Sequence, residues 1–319
     1  MTSKGTEKMT HLTIGVDIAK NTLEAHRLDD KAQRCFANTP AGHKALLDWI
    51  GRADVRVVFE PTGPYHRAFE QALAKAGVNL VKVNPRQARR FAEASGRLAK
   101  NDRCDAAMLA RMGAVLELAP RPVASQTMIE LKQLHAARQG LVRERTATSN
   151  QAKTLTLPLL GRLNAARLKQ IASQIAAIEA AMRARLGAEP ELAHRLAILV
   201  SIPGVSEITA FALLIDMPEL GSLEAKQAAS LAGLAPMTRQ SGRWTGRASI
   251  RGGRASLRRA LYMPALAAAR FNPELTAKYQ QLIRDGKPAK LALTAVMRKL
   301  VVLANALLKA QRHWTPKPT

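Results

Sequence analysis

The sequence predicts an α/β amino-terminal domain followed by a mainly α carboxyl-terminal domain, the two joined by long helices. Three observations carry this. Short β-branched runs alternate with amphipathic stretches over residues 12–118, Pro120 and Pro122 then interrupt the chain, and helical periodicity dominates beyond them. The expected divisions are a polar, disordered tail at 1–11, a domain at 12–120, a helical linker at 121–190 and a helical domain at 191–319.

Residues 12–17 form an apolar run ending in Asp17, and residues 22–28 follow after a tight connection, so both read as strands. Asp29 and Asp30 turn the chain into a third strand at 33–37, completing an antiparallel meander. Thr39 and Pro40 are an N-cap and first helical residue for a helix through Trp49. A β-branched run, 55–59, ends at Glu60 before the breaker Pro61-Thr62-Gly63-Pro64. An amphipathic helix over 65–76 is closed by Gly77, a strand covers 78–83, and Pro85 opens a basic helix bearing Arg86, Arg89 and Arg90. A further helix spans 102–118.

Beyond the prolines, residues 125–154 are helical in composition. Pro158 and Gly161 are expected to interrupt before a second long helix at 163–186. Its Leu168, Ile171, Ile175, Ile178 and Met182 alternate spacings of three and four, which fits an antiparallel hairpin, a dimerising coiled coil or an ordinary bundle helix.

Forty-nine Lys and Arg against 24 Asp and Glu leave a net charge of +25, which attracts polyanions. No apolar run approaches the ~20 residues that span a bilayer, so no membrane partner is expected and the location is read as cytoplasmic. Two cysteines without a CxxC pair argue against a zinc site, and 4% aromatics argue against recognition built mainly on base stacking.

Asp17 and Glu60 end two strands, and Asp102 and Asp105 are spaced to share one face of a helix. Phosphodiester chemistry with two divalent ions needs carboxylates converging in this way. Taken singly, each acid also fits a turn or an N-cap. His66, just after the Glu60 segment, fits either a role near the metals or a helix surface.

Residues 199–206, with Pro203-Gly204, precede an apolar helix. They read either as a helix-hairpin-helix aiming backbone N–H groups at a phosphate or as a buried turn. Residues 237–259 hold Arg239, Arg243, Arg247, Arg251, Arg254, Arg258 and Arg259 and no acid. Interleaved glycines let a phosphate chain approach closely, so a nucleic-acid surface is expected, with a solvated basic face as the alternative. Trp244 could stack on a base or pack within the loop, and Ser241 beside Gly242 reads by itself as a linker serine.

The segments Gly15-Val16-Asp17-Ile18-Ala19-Lys20, Phe59-Glu60-Pro61-Thr62-Gly63 and Lys100-Asn101-Asp102-Arg103-Cys104-Asp105-Ala106 resemble the DEDD transposases of insertion sequence family one-hundred-and-ten. The run from the Ile-Pro-Gly turn through Ser241-Gly242 to the Gly252-Gly253-Arg254 segment is similar to the same family's transposase-20 domain. The resemblance implies an RNase H-like (RuvC-like) amino-terminal domain and a helical serine domain, which the heptad-patterned helices would join as a coiled-coil linker. Asp17, Glu60, Asp102 and Asp105 would hold Mg²⁺, with Mn²⁺ as the alternative ion. Ser241 would be the nucleophile forming a covalent 5′-phosphoserine link.

The partners it implies are donor and target DNA, a structured bridge RNA that pairs with both, and further copies of the chain as a dimer assembling to a tetramer, nucleoid-associated when acting. Two other readings stand beside it: a RuvC-like metal-dependent nuclease without serine chemistry, and a non-catalytic nucleic-acid binder. The first keeps the acids and leaves the basic domain only to grip DNA; the second predicts salt-sensitive binding without metal dependence.

Overall fold

The structure is a computed structural model that describes residues 12–51, 54–96, 102–116, 118, 120, 123–238, 240–242, 244–246 and 248–316, with backbone alone at 102–104 and 244. The tail expected at 1–11 lies outside the described residues. The chain divides into two compact units, Met1–Ala124 and Ser125–Thr319.

The first unit is built on the expected meander, β1 (Leu12–Ile18), β2 (Thr22–Arg27) and β3 (Gln33–Ala37), whose neighbours pair antiparallel. Helix α1 (Pro40–Ile50) starts where Thr39 accepts a hydrogen bond from the Gly42 N–H. Strand β4 (Val55–Phe59) leads to α2 (His66–Lys75), β5 (Asn79–Lys82), α3 (Pro85–Ala94) and α4 (Asp102–Val115). β4 lies parallel to β1 and β5 parallel to β4, giving one mixed sheet in the order β3-β2-β1-β4-β5.

Alternation along the strands divides the core between two faces. Ile14, Val16, Val57 and Phe59 pack with Leu46 of α1 and Phe69 of α2, while Val58 and Val81 pack with Ala88 of α3 and Leu109 of α4. Helices therefore cover both faces of the sheet.

The second unit opens with α5 (Gln126–Ala152) and α6 (Pro158–Ala188), an antiparallel hairpin whose seam buries Ile171, Ile175 and Met182. Ion pairs Arg138–Glu179 at 2.6 Å and Arg185–Glu130 at 2.7 Å bridge the two helices. Of the options open for this heptad pattern, the intrachain hairpin forms. The expected interruption before the second long helix falls earlier, at 153–157: Pro158 is the first residue of α6, where a missing N–H costs nothing, and Gly161 lies within the helix.

Helices α7 (Pro190–Val200), α8 (Glu207–Asp216) and α9 (Ala225–Leu231) follow. Four two-residue strands come next: β6 (Pro236–Met237), β7 (Gln240–Ser241), β8 (Trp244–Thr245) and β9 (Ser249–Ile250). Helices α10 (Ala255–Ala260), α11 (Tyr262–Phe271), α12 (Pro273–Arg284) and α13 (Ala289–Lys309) complete the unit.

Helix α13 is long and apolar enough to cross a membrane by length and composition, with a mean hydropathy of 1.8. In the sequence, Lys290, Arg298 and Lys299 interrupt the run and hide it. In the fold Val296, Leu300, Val301, Ala304 and Leu307 of α13 are buried in the hydrophobic core of the second unit.

Candidate acid cluster and serine arm

Asp17 is the penultimate residue of β1, and Glu60 follows the last residue of β4. Val16 is in register with Phe59 across this parallel pair, so one further step sets Asp17 beside Glu60, about 4.8 Å apart between strands. Strand alternation places Asp17 on the face of Thr13 and Gly15, and Glu60 on the face of Val58. That face is covered by α4.

The course of α4 is fixed by glycines. A Cβ on Gly15 would meet the Ala106 carbonyl oxygen at 1.9 Å and the Ala110 nitrogen at 2.4 Å, so the helix backbone rests on bare strand backbone. Near the other end of the helix, Gly113 lies against Val58 and Thr13. The helix thus runs opposite to β1, and its first turn, with Asp105, reaches the end of the sheet where Asp17 and Glu60 lie.

Asp17, Glu60 and Asp105 are all half-buried, and each takes part in further polar interactions. The Asp102 side chain lies outside the described residues, and among the described residues no group of three or more His, Cys, Asp or Glu closes into a metal-holding cluster. Half-buried carboxylates are nevertheless the oxygen donors that Mg²⁺ and Mn²⁺ take, so the donor set at this sheet end fits a hard divalent ion.

Sequence reasoning missed the braces around this end of the sheet. The Asn38 amide donates to the carbonyls of Ala19 at 3.0 Å and Tyr65 at 3.1 Å, tying the loop after Asp17 to the loop after Glu60. Its oxygen is 2.8 Å from His43 Nε2. Burial lowers the pKa of His43. A half-buried asparagine bridging two loops leaves no periodic mark in a sequence.

His66 begins α2 as a half-buried residue beside the Phe59 ring, with Nε2 3.7 Å from a Glu70 oxygen that Lys82 also holds at 2.6 Å. Burial is the largest cause of its lowered pKa; the Lys82 charge adds to the effect and Glu70 opposes it. Arg86, Arg89 and Arg90 are exposed on α3, where Arg89 pairs with Glu93 at 3.3 Å.

In the second unit, Ser241 sits near the tip of an arm. Gln240 and Ser241 pair with Thr245 and Trp244, and farther back Pro236 and Met237 pair with Ile250 and Ser249. Gly242 has φ 55°, the left-handed conformation of a tight turn, and Ser241 is exposed beside it. Arg239, Arg243, Arg247 and the Trp244 side chain lie outside the described residues.

The neck of the arm is closed by internal bonds. Arg254, expected as a nucleic-acid contact, bonds through its guanidinium to Glu219 at 2.7 and 2.8 Å and to the Asp216 carbonyl at 2.7 Å. The hydrogen bond to Glu219 raises its pKa. Arg258 likewise donates to the carbonyls of Gly252 at 2.9 Å and Gly233 at 3.2 Å. Arg251 and Arg259 remain exposed.

Gly204 also faces inward. It has φ 95°, and a Cβ there would meet the Ala268 nitrogen at 2.6 Å, so the close approach of α11 accounts for the glycine. The Val205 N–H donates to the Ile202 carbonyl at 2.9 Å, inside the turn.

Asp17 and Glu60 thus end adjacent parallel strands in the first unit, and Ser241 stands exposed on a short arm of the second. Residues 14–157 match a family model described as "Transposase", of the DEDD type carried by IS110 elements, and residues 196–280 match one described as "Transposase IS116/IS110/IS902 family". The chain is 30% identical over 323 residues to the pilin gene-inverting protein of Moraxella bovis, covering 95% of this chain and 98% of that protein, with the same figures for Moraxella lacunata. It is 32% identical over 165 residues to the insertion element IS110 uncharacterized 43.6 kDa protein of Streptomyces coelicolor, covering 49% of this chain and 40% of that one. The chain belongs to the IS110 family of transposases and is a DNA transposase or recombinase.

Proposed function

We propose that the chain cuts and rejoins DNA strands by covalent serine chemistry assisted by a divalent ion held on an RNase H-like domain. The sheet order β3-β2-β1-β4-β5, with β1 to β3 antiparallel and β4 and β5 parallel to β1, supports that fold. The observation that carries the reading is the placement of Asp17 and Glu60 at the ends of the adjacent strands β1 and β4, with the first turn of α4 approaching the same end of the sheet.

Asp17, Glu60, Asp102 and Asp105 would hold Mg²⁺, or Mn²⁺ in its place. When bound, the ion supplies positive charge against the charge that develops at the phosphate. The Ser241 oxygen attacks a backbone phosphorus and gives up its proton. The bond from phosphorus to the 3′ oxygen breaks, that oxygen leaves protonated, and a 5′-phosphoserine ester remains. Attack by a 3′-hydroxyl of another strand reverses the step, restores the serine and rebuilds the phosphodiester.

Because bond energy is kept in the ester, no external energy source is needed. Relatives named for inverting a pilin gene support a reaction that conserves both strands. Exposed Arg251 and Arg259 flank the neck of the Ser241 arm as phosphate contacts. The family resemblance supports guidance by a structured bridge RNA and assembly of copies into dimers and tetramers, with the acids of one copy serving the serine of another. A net charge of +25 accommodates donor DNA, target DNA and RNA together.

The test is a strand-exchange assay on DNA carrying the element ends, with Mg²⁺ and the flanking transcript. Wild type should give a phosphoserine-linked DNA adduct, Ser241→Ala none, and Asp17→Asn neither adduct nor exchange. Cleavage that survives Ser241→Ala, without an adduct in wild type, would replace this reading by metal-dependent nuclease action. Exchange unaffected by loss of the four acids would remove the metal site.

A further inference from the structure

Helix α11 divides sharply by exposure. Leu261 just before it and Ala265 and Ala268 within it are fully buried. Its other half presents Tyr262 at 43%, Met263 at 64%, Leu266 at 37% and Phe271 at 71% exposure. Of the other five phenylalanines, Phe36, Phe59, Phe69 and Phe211 are buried and Phe91 is half-buried against a core cluster. By helical geometry, Tyr262 and Phe271 lie at the two edges of the exposed half and about 14 Å apart along the axis, with Leu266, Met263 and Arg270 between them.

The charged residues of α10 and α11 have one sign. Helices α10 and α11 hold no acidic residue, and Arg259 and Arg270 are exposed without a hydrogen-bond or ion-pair partner among the described residues. A polyanion with flat apolar faces meets both demands.

We propose that the exposed half of α11 is a landing surface for the unpaired bases of a single nucleic-acid strand. Bases stack on Phe271 and Tyr262, the Met263 and Leu266 side chains fill the space between them, and Arg259 and Arg270 pair with the phosphates of a strand crossing the helix obliquely. Duplex DNA keeps its base faces stacked on one another and can offer this helix only its phosphates. The surface therefore discriminates opened from paired nucleic acid. It goes beyond the serine reading, because it requires neither Ser241 nor a metal.

The experiment measures binding of a fluorescent mixed-sequence single strand, and of its duplex, to the full chain without divalent ions. The double variant Tyr262→Ala, Phe271→Ala should lose at least tenfold in single-strand affinity and change less than twofold on duplex. Tyr262→Trp, Phe271→Trp should restore single-strand binding, which a merely structural role would not require. Unchanged single-strand affinity, an equal loss on both ligands, or a wild-type self-association that the alanine variant abolishes in sedimentation would each overturn the proposal. Failure of the serine assay with this discrimination intact would leave the surface standing.

Discussion

Glu219 grips Arg254 through both carboxylate oxygens, at 2.7 and 2.8 Å, and so fastens the return limb of the Ser241 arm to the end of α8. The Arg254 N–H adds a bond to the Leu231 carbonyl at 2.8 Å. Replacing Arg254 with Ala should cost about 1 to 3 kcal/mol, the usual loss when a charged hydrogen-bonded partner is removed. It should also speed protease cleavage within residues 236–253. Arg254→Lys, which cannot bond both oxygens in one plane, should fall between the two. Cleavage as slow as in wild type would mean the clamp does not hold the arm.

The Gly15 contact predicts a steep asymmetry between two glycines. Gly15→Ala drives a methyl into the Ala106 carbonyl, so α4 must shift, at a cost of about 3 kcal/mol or more. Metal-dependent cleavage should fall with it, because Asp105 rides on that helix. A Cβ on Gly140, inside α5, would meet nothing within 4 Å, so Gly140→Ala should stabilise by about 0.5 to 1 kcal/mol. Thermal melts of both variants check the pair, and equal shifts would contradict the packing described for α4.

His43 and His66 both take up a proton less readily in the fold than the ordinary value of 6.5 implies, chiefly through burial. The unfolded chain then binds more protons than the folded one once the pH drops below 6.5. Stability of the amino-terminal unit should be fully present above that value, decline as the pH falls below it, and level off under the folded pKa values. Melts from pH 8 to 5 on wild type and on His43→Gln, His66→Gln should show a smaller decline in the variant. Parallel curves would count against the two histidines.

Exposed and internal arginines should part company in salt. Arg251→Ala and Arg86→Ala should each reduce the slope of log affinity against log salt for duplex DNA by about 0.9. Arg258→Ala, whose guanidinium bonds two backbone carbonyls, should lower the melting temperature and leave that slope unchanged. A slope change for Arg258 of the same size would return it to the DNA surface.

Most of the sheet was legible from local chemistry. The Thr39 cap, the strand ending before Glu60 and the helix opened by Pro85 are set by neighbouring residues, and they stand where the sequence predicts them. What escaped depended on distant residues. Arg254 and Arg258 lie in a segment without acids, yet Glu219 and two glycine carbonyls reach Arg254 and Arg258 respectively through the fold. Pro158 reads as a break because its position relative to the helix start, which decides whether a proline is harmless, depends on where the turn before it ends. The apolar face of α13 was obscured by charges that lie on one helix with it but need not share its buried side.

The arm's paired strands are only two residues long in each ladder. So few backbone bonds offset little of the ordering entropy of the paired residues themselves, about 1 to 2 kcal/mol for each residue fixed. On the serine mechanism proposed above, the free energy that holds Ser241 in line with a phosphorus would come largely from the nucleic acid. Calorimetry of substrate binding should accordingly record an unfavourable entropy beyond that of rigid docking.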